Sequence, residues 1–190
     1  GLVPKVGWQI DPFGHSATQG GLLTSSVGFD ALYFGRIHYV DLLNRQTAAE
    51  CEGLWSSAPD SSSVFWGLTG SYGGNYGAPE GFCFDVLCGD DPLVGLEKTA
   101  LVDRIKLFTN ALGKQANQTK GRNIMLTMGM DFQYSNARKN FENLDLLIDA
   151  TRHTIGIGEI NVSHFLGEDR FDNVNIFYST PEKYTQCKYA

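Results

Sequence analysis

The sequence has 190 residues, 42% of them hydrophobic and 19% charged, with a formal net charge of −6 at pH 7. A chain of this length can bury a substantial core, and its composition is that of a globular protein, usually of one domain. The negative charge argues against nucleic acids and anionic membranes as partners, because both require clustered lysine and arginine. No apolar run approaches the roughly 18 residues that a membrane-spanning helix needs.

Hydrophobic spacing predicts strands and helices that alternate along the chain. The predicted strands are 2–10, 31–34, 123–128 and 174–178. The predicted helices are 16–27, 39–57, 96–115, one that begins at 135 and one that begins at 181. Residues 59–92 are predicted to form a long loop, rich in Gly, Ser and Pro but also in aromatic residues. This alternation indicates an α/β fold with a mainly parallel sheet and right-handed crossovers.

Three charged side chains follow predicted strands: Asp11, Arg36 and Asp131. The carboxyl ends of parallel strands share one edge of a sheet, where α/β enzymes place their active sites. Two carboxylates and a guanidinium at that edge would suit a glycosidase. From the residues alone, other interpretations stay open. Asp11 could form an Asx turn, either Asp could cap the following helix, and Arg36 could be a surface arginine.

Five blocks, in order along the chain, resemble the zinc-dependent class II α-mannosidases of glycoside hydrolase family 38, and their lysosomal branch most closely. The blocks are I-D-P-F-G-H-S at 10–16, G-F-D-A-L-Y-F-G-R at 28–36, C-F-D-V-L-C at 83–88, T-M-G-M-D-F-Q-Y at 127–134 and Y-S-T-P at 178–181. The resemblance implies that residues 1–190 are a single segment of the N-terminal catalytic domain, truncated at both ends. The fold would then be a partial (β/α) barrel-like domain.

The resemblance also implies roles for individual residues. Asp11 matches the nucleophile, which is also a zinc ligand, and Asp131 matches the acid/base that protonates the leaving oxygen. Arg36 matches an arginine at the metal and nucleophile. Phe13 and Tyr76 match positions that line the sugar site; without the resemblance, either aromatic could simply fill the core. Met130 replaces a second Asp of the Golgi branch.

The expected cofactor is Zn²⁺, but this chain does not supply its whole ligand set. The family takes a His-x-Asp pair from near the start of the domain and a further His from well beyond this segment. We therefore expect other chains or segments of the same parent polypeptide to provide the remaining ligands. His15 and His38 match no family ligand, and we expect them either to support the residues around the metal or to be structural.

Cysteines and glycosylation motifs indicate the secretory pathway. The motifs are Asn117-Gln-Thr and Asn161-Val-Ser, and the resemblance implies a disulfide between Cys83 and Cys88. Cys51 and Cys187 could pair with each other or with cysteines outside the segment. The expected location is a lysosome, an acidic vacuole or the exterior of the cell.

The resemblance thus predicts a retaining, zinc-dependent exo-α-mannosidase that releases terminal α-D-mannose from N-glycan-type oligosaccharides. Its substrate partner would be a mannose-containing oligosaccharide. The alternative is a non-catalytic glycan-binding or structural fragment that is inert without the rest of its parent protein.

Overall fold

The structure, a computed structural model, describes residues 1–57, 63–70, 76–156 and 174–189. They belong to two compact units. The first comprises Gly1–Thr69, Asn117–Met125 and Ser179–Ala190, and the second comprises Gly70–Ala116 and Leu126–Tyr178. None of the helices among the described residues is both long and apolar enough to cross a membrane.

The first unit is built on a sheet of four strands. The strands are β1 (Val6–Gln9), β2 (Ala31–Phe34), β3 (Glu52–Ser56) and β4 (Ser63–Leu68). They lie in the order β1-β2-β4-β3, with β1, β2 and β4 parallel and β3 antiparallel to β4. The helices in the described residues are α1 (Gln19–Leu22), which continues into a π-helical turn (Leu23–Val27), α2 (Tyr39–Ala48), α3 (Lys98–Ala116), α4 (Ala137–Gly156) and α5 (Pro181–Tyr189).

Strand β2 is the centre of this unit, and all four of its residues are buried. Side chains alternate across a strand, so Leu32 and Phe34 share one face and pack with Val64 and Trp66 of β4. Ala31 and Tyr33 point to the other face, where Tyr184 of α5 covers them. A parallel strand covered on both faces reads as a continuous apolar run, which is why A-L-Y-F alone predicts this strand.

The second unit contains the two long helices, α3 and α4. Ile105, Phe108 and Leu112 recur with helical spacing on the buried side of α3, while Leu144 and Leu147 are buried in α4. A segment before α3 is fixed to α4, because Asn143 accepts hydrogen bonds from the amides of Leu93 (2.6 Å) and Val94 (3.1 Å).

The α/β class and the mainly parallel sheet are confirmed, but several element predictions are wrong. The helix predicted over 39–57 ends at Ala48, because Ala49 adopts a left-handed conformation (φ 56°), and β3 follows it. Strand β4 lies inside the predicted loop 59–92. The predicted strands 123–128 and 174–178 form no strand in the described residues. The sheet that the structure describes is open, with no barrel closure.

Candidate active site

The turn after β1 and the turn after β2 place Asp11 against Arg36. Gln9 and Phe34 are paired in the parallel register, so Asp11 and Arg36 each lie two residues beyond paired positions. Arg36 donates from Nε (2.8 Å) and Nη2 (2.5 Å), both times to Oδ1 of Asp11. Within the described residues Oδ2 of Asp11 accepts no hydrogen bond, and the Asp11 side chain is 57% exposed. The carboxylate is therefore held through one oxygen and presents the other.

Two neighbours of this ion pair fix Arg36 further. Its guanidinium lies over the ring of Phe13, 4.1 Å from the ring centroid, in a cation–π contact. Its backbone carbonyl oxygen lies 2.9 Å from Nε2 of His15, whose ring also packs against Phe34. Gly14 (φ 134°) makes the turn that brings Phe13 and His15 to this position, a conformation that other residues rarely adopt.

The geometry argues against the simpler interpretations of three residues. Asp11 caps no helix, because α1 begins at Gln19 and has no side-chain cap. Arg36 is engaged by a carboxylate rather than extended into solvent. Phe13 is 85% exposed and does not fill the core in this part of the protein. All of these residues lie in the first unit.

Asp131, in the second unit, lies in a tight turn and is contacted by Tyr76. The hydroxyl of Tyr76 donates to Oδ1 of Asp131 at 3.1 Å. The amide of Gln133 donates to the carbonyl of Met130 (3.3 Å), which closes a turn around Asp131 and Phe132. Asp131 does not cap α4, which begins six residues later at Ala137. The sequence-based expectation that Asp131 follows a strand is incorrect, and its approach to Asp11 and Arg36 stays a prediction.

Sequence reasoning missed Asp85, which lies between the two cysteines of the C-F-D-V-L-C block. Its side chain is almost completely buried, with the residue 2% exposed. Burial by itself would raise the pKa of the Asp85 carboxyl. Hydrogen bonds from the amides of Tyr134, Leu87 and Val86 and from the side chain of Asn140 outweigh burial and hold that pKa below its usual value. The sequence does contain a signal for Asp85, which is an acidic residue inside an apolar, disulfide-closed loop. Such a residue can be buried only if several hydrogen-bond donors surround it.

The metal ligands expected from the resemblance are only partly represented. Among residues 1–57, 63–70, 76–156 and 174–189 there is no group of three or more His, Cys, Asp or Glu that could hold a metal ion. His15 contacts Arg36, and His38 precedes α2, with its ring against Tyr39. The carboxylate of Asp11 has the chemistry of a single zinc ligand, while catalytic zinc sites usually have three from the protein.

The structure contains the disulfide between Cys83 and Cys88. Cys51 and Cys187 are free, and Cys51 is buried. Asn117 is exposed, as a glycosylated asparagine must be, whereas Asn161 lies outside the described residues.

Comparison with known proteins identifies the family of enzymes to which this fold and these residues belong. The model of the glycosyl hydrolases family 38 N-terminal domain matches residues 1–187. The chain therefore belongs to glycosyl hydrolase family 38.

Individual relatives agree with this assignment. The chain is 38% identical to the lysosomal α-mannosidase of Cavia porcellus, with 95% of the chain covered, and 35% identical to that of Homo sapiens, also with 95% covered. It is 37% identical to the α-mannosidase of Canavalia ensiformis, with 99% covered. The chain spans only 17–18% of the length of these relatives.

Proposed function

We propose that this chain is part of the catalytic domain of a retaining exo-α-mannosidase that removes terminal α-D-mannose from N-glycan-type oligosaccharides. The observation that carries the proposal is the Asp11 carboxylate, which Arg36 fixes through Oδ1 while Oδ2 stays accessible. Membership in the family, and the names of the plant and lysosomal relatives, support mannose as the sugar and a lysosome or vacuole as the location.

In the first step, Oδ2 of Asp11 attacks the anomeric carbon and forms a glycosyl ester as the bond to the leaving oxygen breaks. The protonated carboxyl of Asp131 gives its proton to that oxygen. In the second step Asp131 takes a proton from water, which attacks the anomeric carbon and releases Asp11. Arg36 keeps Asp11 oriented, Tyr76 orients Asp131, and Phe13 offers an apolar surface to the sugar.

Asp11 would be one ligand of the zinc ion. When bound, zinc would supply positive charge that holds substrate hydroxyls. The remaining ligands would come from other segments of the parent polypeptide, which would also extend the open sheet into a barrel-like domain. This chain alone is then expected to be inert.

The test is the variant Asp11→Asn in the full-length parent enzyme. We expect kcat to fall by about 10⁴-fold or more, because the amide is a poor nucleophile. We also expect the zinc content, measured by elemental mass spectrometry, to fall. A slow-reacting fluorinated mannosyl fluoride should label the wild-type enzyme on the peptide that contains Asp11. Unchanged turnover in the variant, or a label on another peptide, would remove Asp11 from the mechanism. A label on a peptide outside residues 1–190 would also favour the non-catalytic alternative.

A further inference from the structure

The turn that carries Asp131 has an unusual backbone. Phe132 (φ 60°) and Tyr134 (φ 64°) both have left-handed conformations, although neither is glycine. Bulky residues rarely adopt such conformations, and they persist only where the surrounding structure holds them. Two of them within three residues, directly after Asp131, indicate that neighbouring groups impose the shape of this turn.

Those neighbouring groups belong to the disulfide-closed loop 83–88. Oδ2 of Asp85 accepts a hydrogen bond from the amide of Tyr134 at 2.8 Å. The side-chain amide of Gln133 lies 2.9 Å from both Sγ atoms of the Cys83–Cys88 disulfide. The left-handed Tyr134 is thus fixed at its amide, and its hydroxyl also donates to the carbonyl of Met128 at 2.5 Å.

Asp85 is itself held by groups other than the turn. Its Oδ1 accepts from the amide of Leu87 (3.3 Å), and its Oδ2 also accepts from the side chain of Asn140 in α4 (3.5 Å). One buried carboxylate therefore connects the disulfide loop, α4 and the turn. Charge-assisted hydrogen bonds of this kind are stronger than neutral ones, which makes the carboxylate an effective anchor.

We propose that Asp85 is a positioning residue for the acid/base Asp131, because it fixes the left-handed turn from which the Asp131 carboxyl projects. The proposal rests on the role of Asp131 in the proposed function. Asp85 itself does not meet the sugar, because it is buried and its oxygens face backbone and side-chain donors of the protein. Loss of Asp85 should displace the acid/base group while the nucleophile keeps its position on a different turn.

Displacement of the acid/base carboxyl should slow the reaction most for substrates whose leaving group must be protonated. An α-linked mannobiose has a sugar alkoxide as its leaving group and depends on the acid, whereas 2,4-dinitrophenolate departs without a proton. The parameter to measure is kcat/KM, since it reports the first step, in which the leaving group departs. A purely structural defect would lower kcat/KM by the same factor for both substrates.

The experiment uses the full-length enzyme with the variant Asp85→Ala. We expect kcat/KM for mannobiose to fall by about 10²-fold, the usual loss for a misplaced catalytic group. For 2,4-dinitrophenyl α-mannoside the fall should be less than about threefold. Asp85→Asn keeps one acceptor oxygen for the amide of Tyr134 and should recover most of the mannobiose activity. If Asp85→Ala does not fold, Gln133→Leu tests the same turn and should show the same selective loss.

Two variants provide the references. Asp131→Ala removes the acid and should lower kcat/KM for mannobiose by about 10²- to 10⁴-fold, with much less effect on the activated substrate. Asn143→Ala removes another buried polar group of the second unit, whose hydrogen bonds go to Leu93, Val94 and Lys139. It should affect both substrates equally.

The outcomes distinguish the positioning role of Asp85 from the acid/base role of Asp131. Equal losses on both substrates in Asp85→Ala, together with a selective loss in Asp131→Ala, would overturn the positioning role and leave the proposed function intact. Equal losses in Asp131→Ala would overturn its assignment as the acid, and the proposal with it. Selective losses in both variants, with recovery in Asp85→Asn, support the proposal.

Discussion

Glu52 of β3 forms a buried ion pair that fixes α5 to the sheet of the first unit. Its Oε2 lies 2.7 Å from Nζ of Lys188, and the two side chains are only 10% and 8% exposed. The hydroxyl of Tyr184 donates to the other carboxylate oxygen, Oε1. The substitution Glu52→Gln keeps the shape of the side chain but leaves the charge of Lys188 buried without an anion.

The expected cost follows from this burial. Removal of one partner of a buried ion pair destabilises a protein by about 3–5 kcal/mol. The Lys120–Glu50 pair is a matched control in the same unit, with a distance of 3.3 Å but side chains 75% and 54% exposed. Glu50→Gln should cost about 1 kcal/mol at most, because solvent screens an exposed pair.

Hydrogen–deuterium exchange of the native full-length protein measures both variants, in peptides that cover β3 and α5. At about 1.4 kcal/mol for each factor of ten, exchange should accelerate between roughly 100-fold and 4,000-fold in Glu52→Gln. In Glu50→Gln it should accelerate by no more than about fivefold. Equal acceleration in the two variants would refute the argument that burial gives the Glu52 pair its strength.

Two further predictions concern single side chains. Arg36→Lys should lower kcat by about 10- to 100-fold, because an ammonium cannot reproduce the two hydrogen bonds to Oδ1 of Asp11 or the contact with Phe13; kinetics within threefold of wild type would show that Asp11 needs no such support. Burial raises the pKa of the Cys51 thiol to about 11, from an ordinary value of 9.0. The thiol is therefore neutral in the folded protein at pH 8, and its contribution to stability is lost as the pH rises from about 9 to about 11. Iodoacetamide at pH 8 should accordingly modify Cys51 at least about 100-fold more slowly in the native protein than in denaturant, and equal rates would contradict its burial.

The sequence was most informative where the structural signal was local. The apolar run of β2 predicts its bounds without error. The predicted positions of Asp11 and Arg36, just after two strands, also identify two side chains that contact each other in the structure. Pro181 likewise marks the first residue of α5, since proline is favoured in the first turn of a helix. In each case the residues that decide the structure lie within a few positions of one another.

The predictions failed where distant partners decide the structure. The six residues of β4 lie in a stretch rich in Gly, Ser and Pro, and their strand pairs with β2, more than thirty residues earlier. Residues 123–128 have the composition of a strand but pair with no strand in the described residues. The role of Asp85 could not be predicted from its neighbours in the sequence, because the amide of Tyr134 that contacts its carboxylate lies 49 residues away.

The order of the two units along the chain has a consequence for folding. The second unit is inserted between pieces of the first, and the core around β2 is complete only when α5 covers it. The hydroxyls of Tyr33 and Thr185, 2.8 Å apart, are separated by 152 residues. Contacts this distant in sequence form slowly, because a long loop must close before they contribute. During synthesis, one apolar face of β2 therefore stays uncovered by α5 until this helix has emerged from the ribosome, so the first unit cannot complete its core before the second unit has been synthesised.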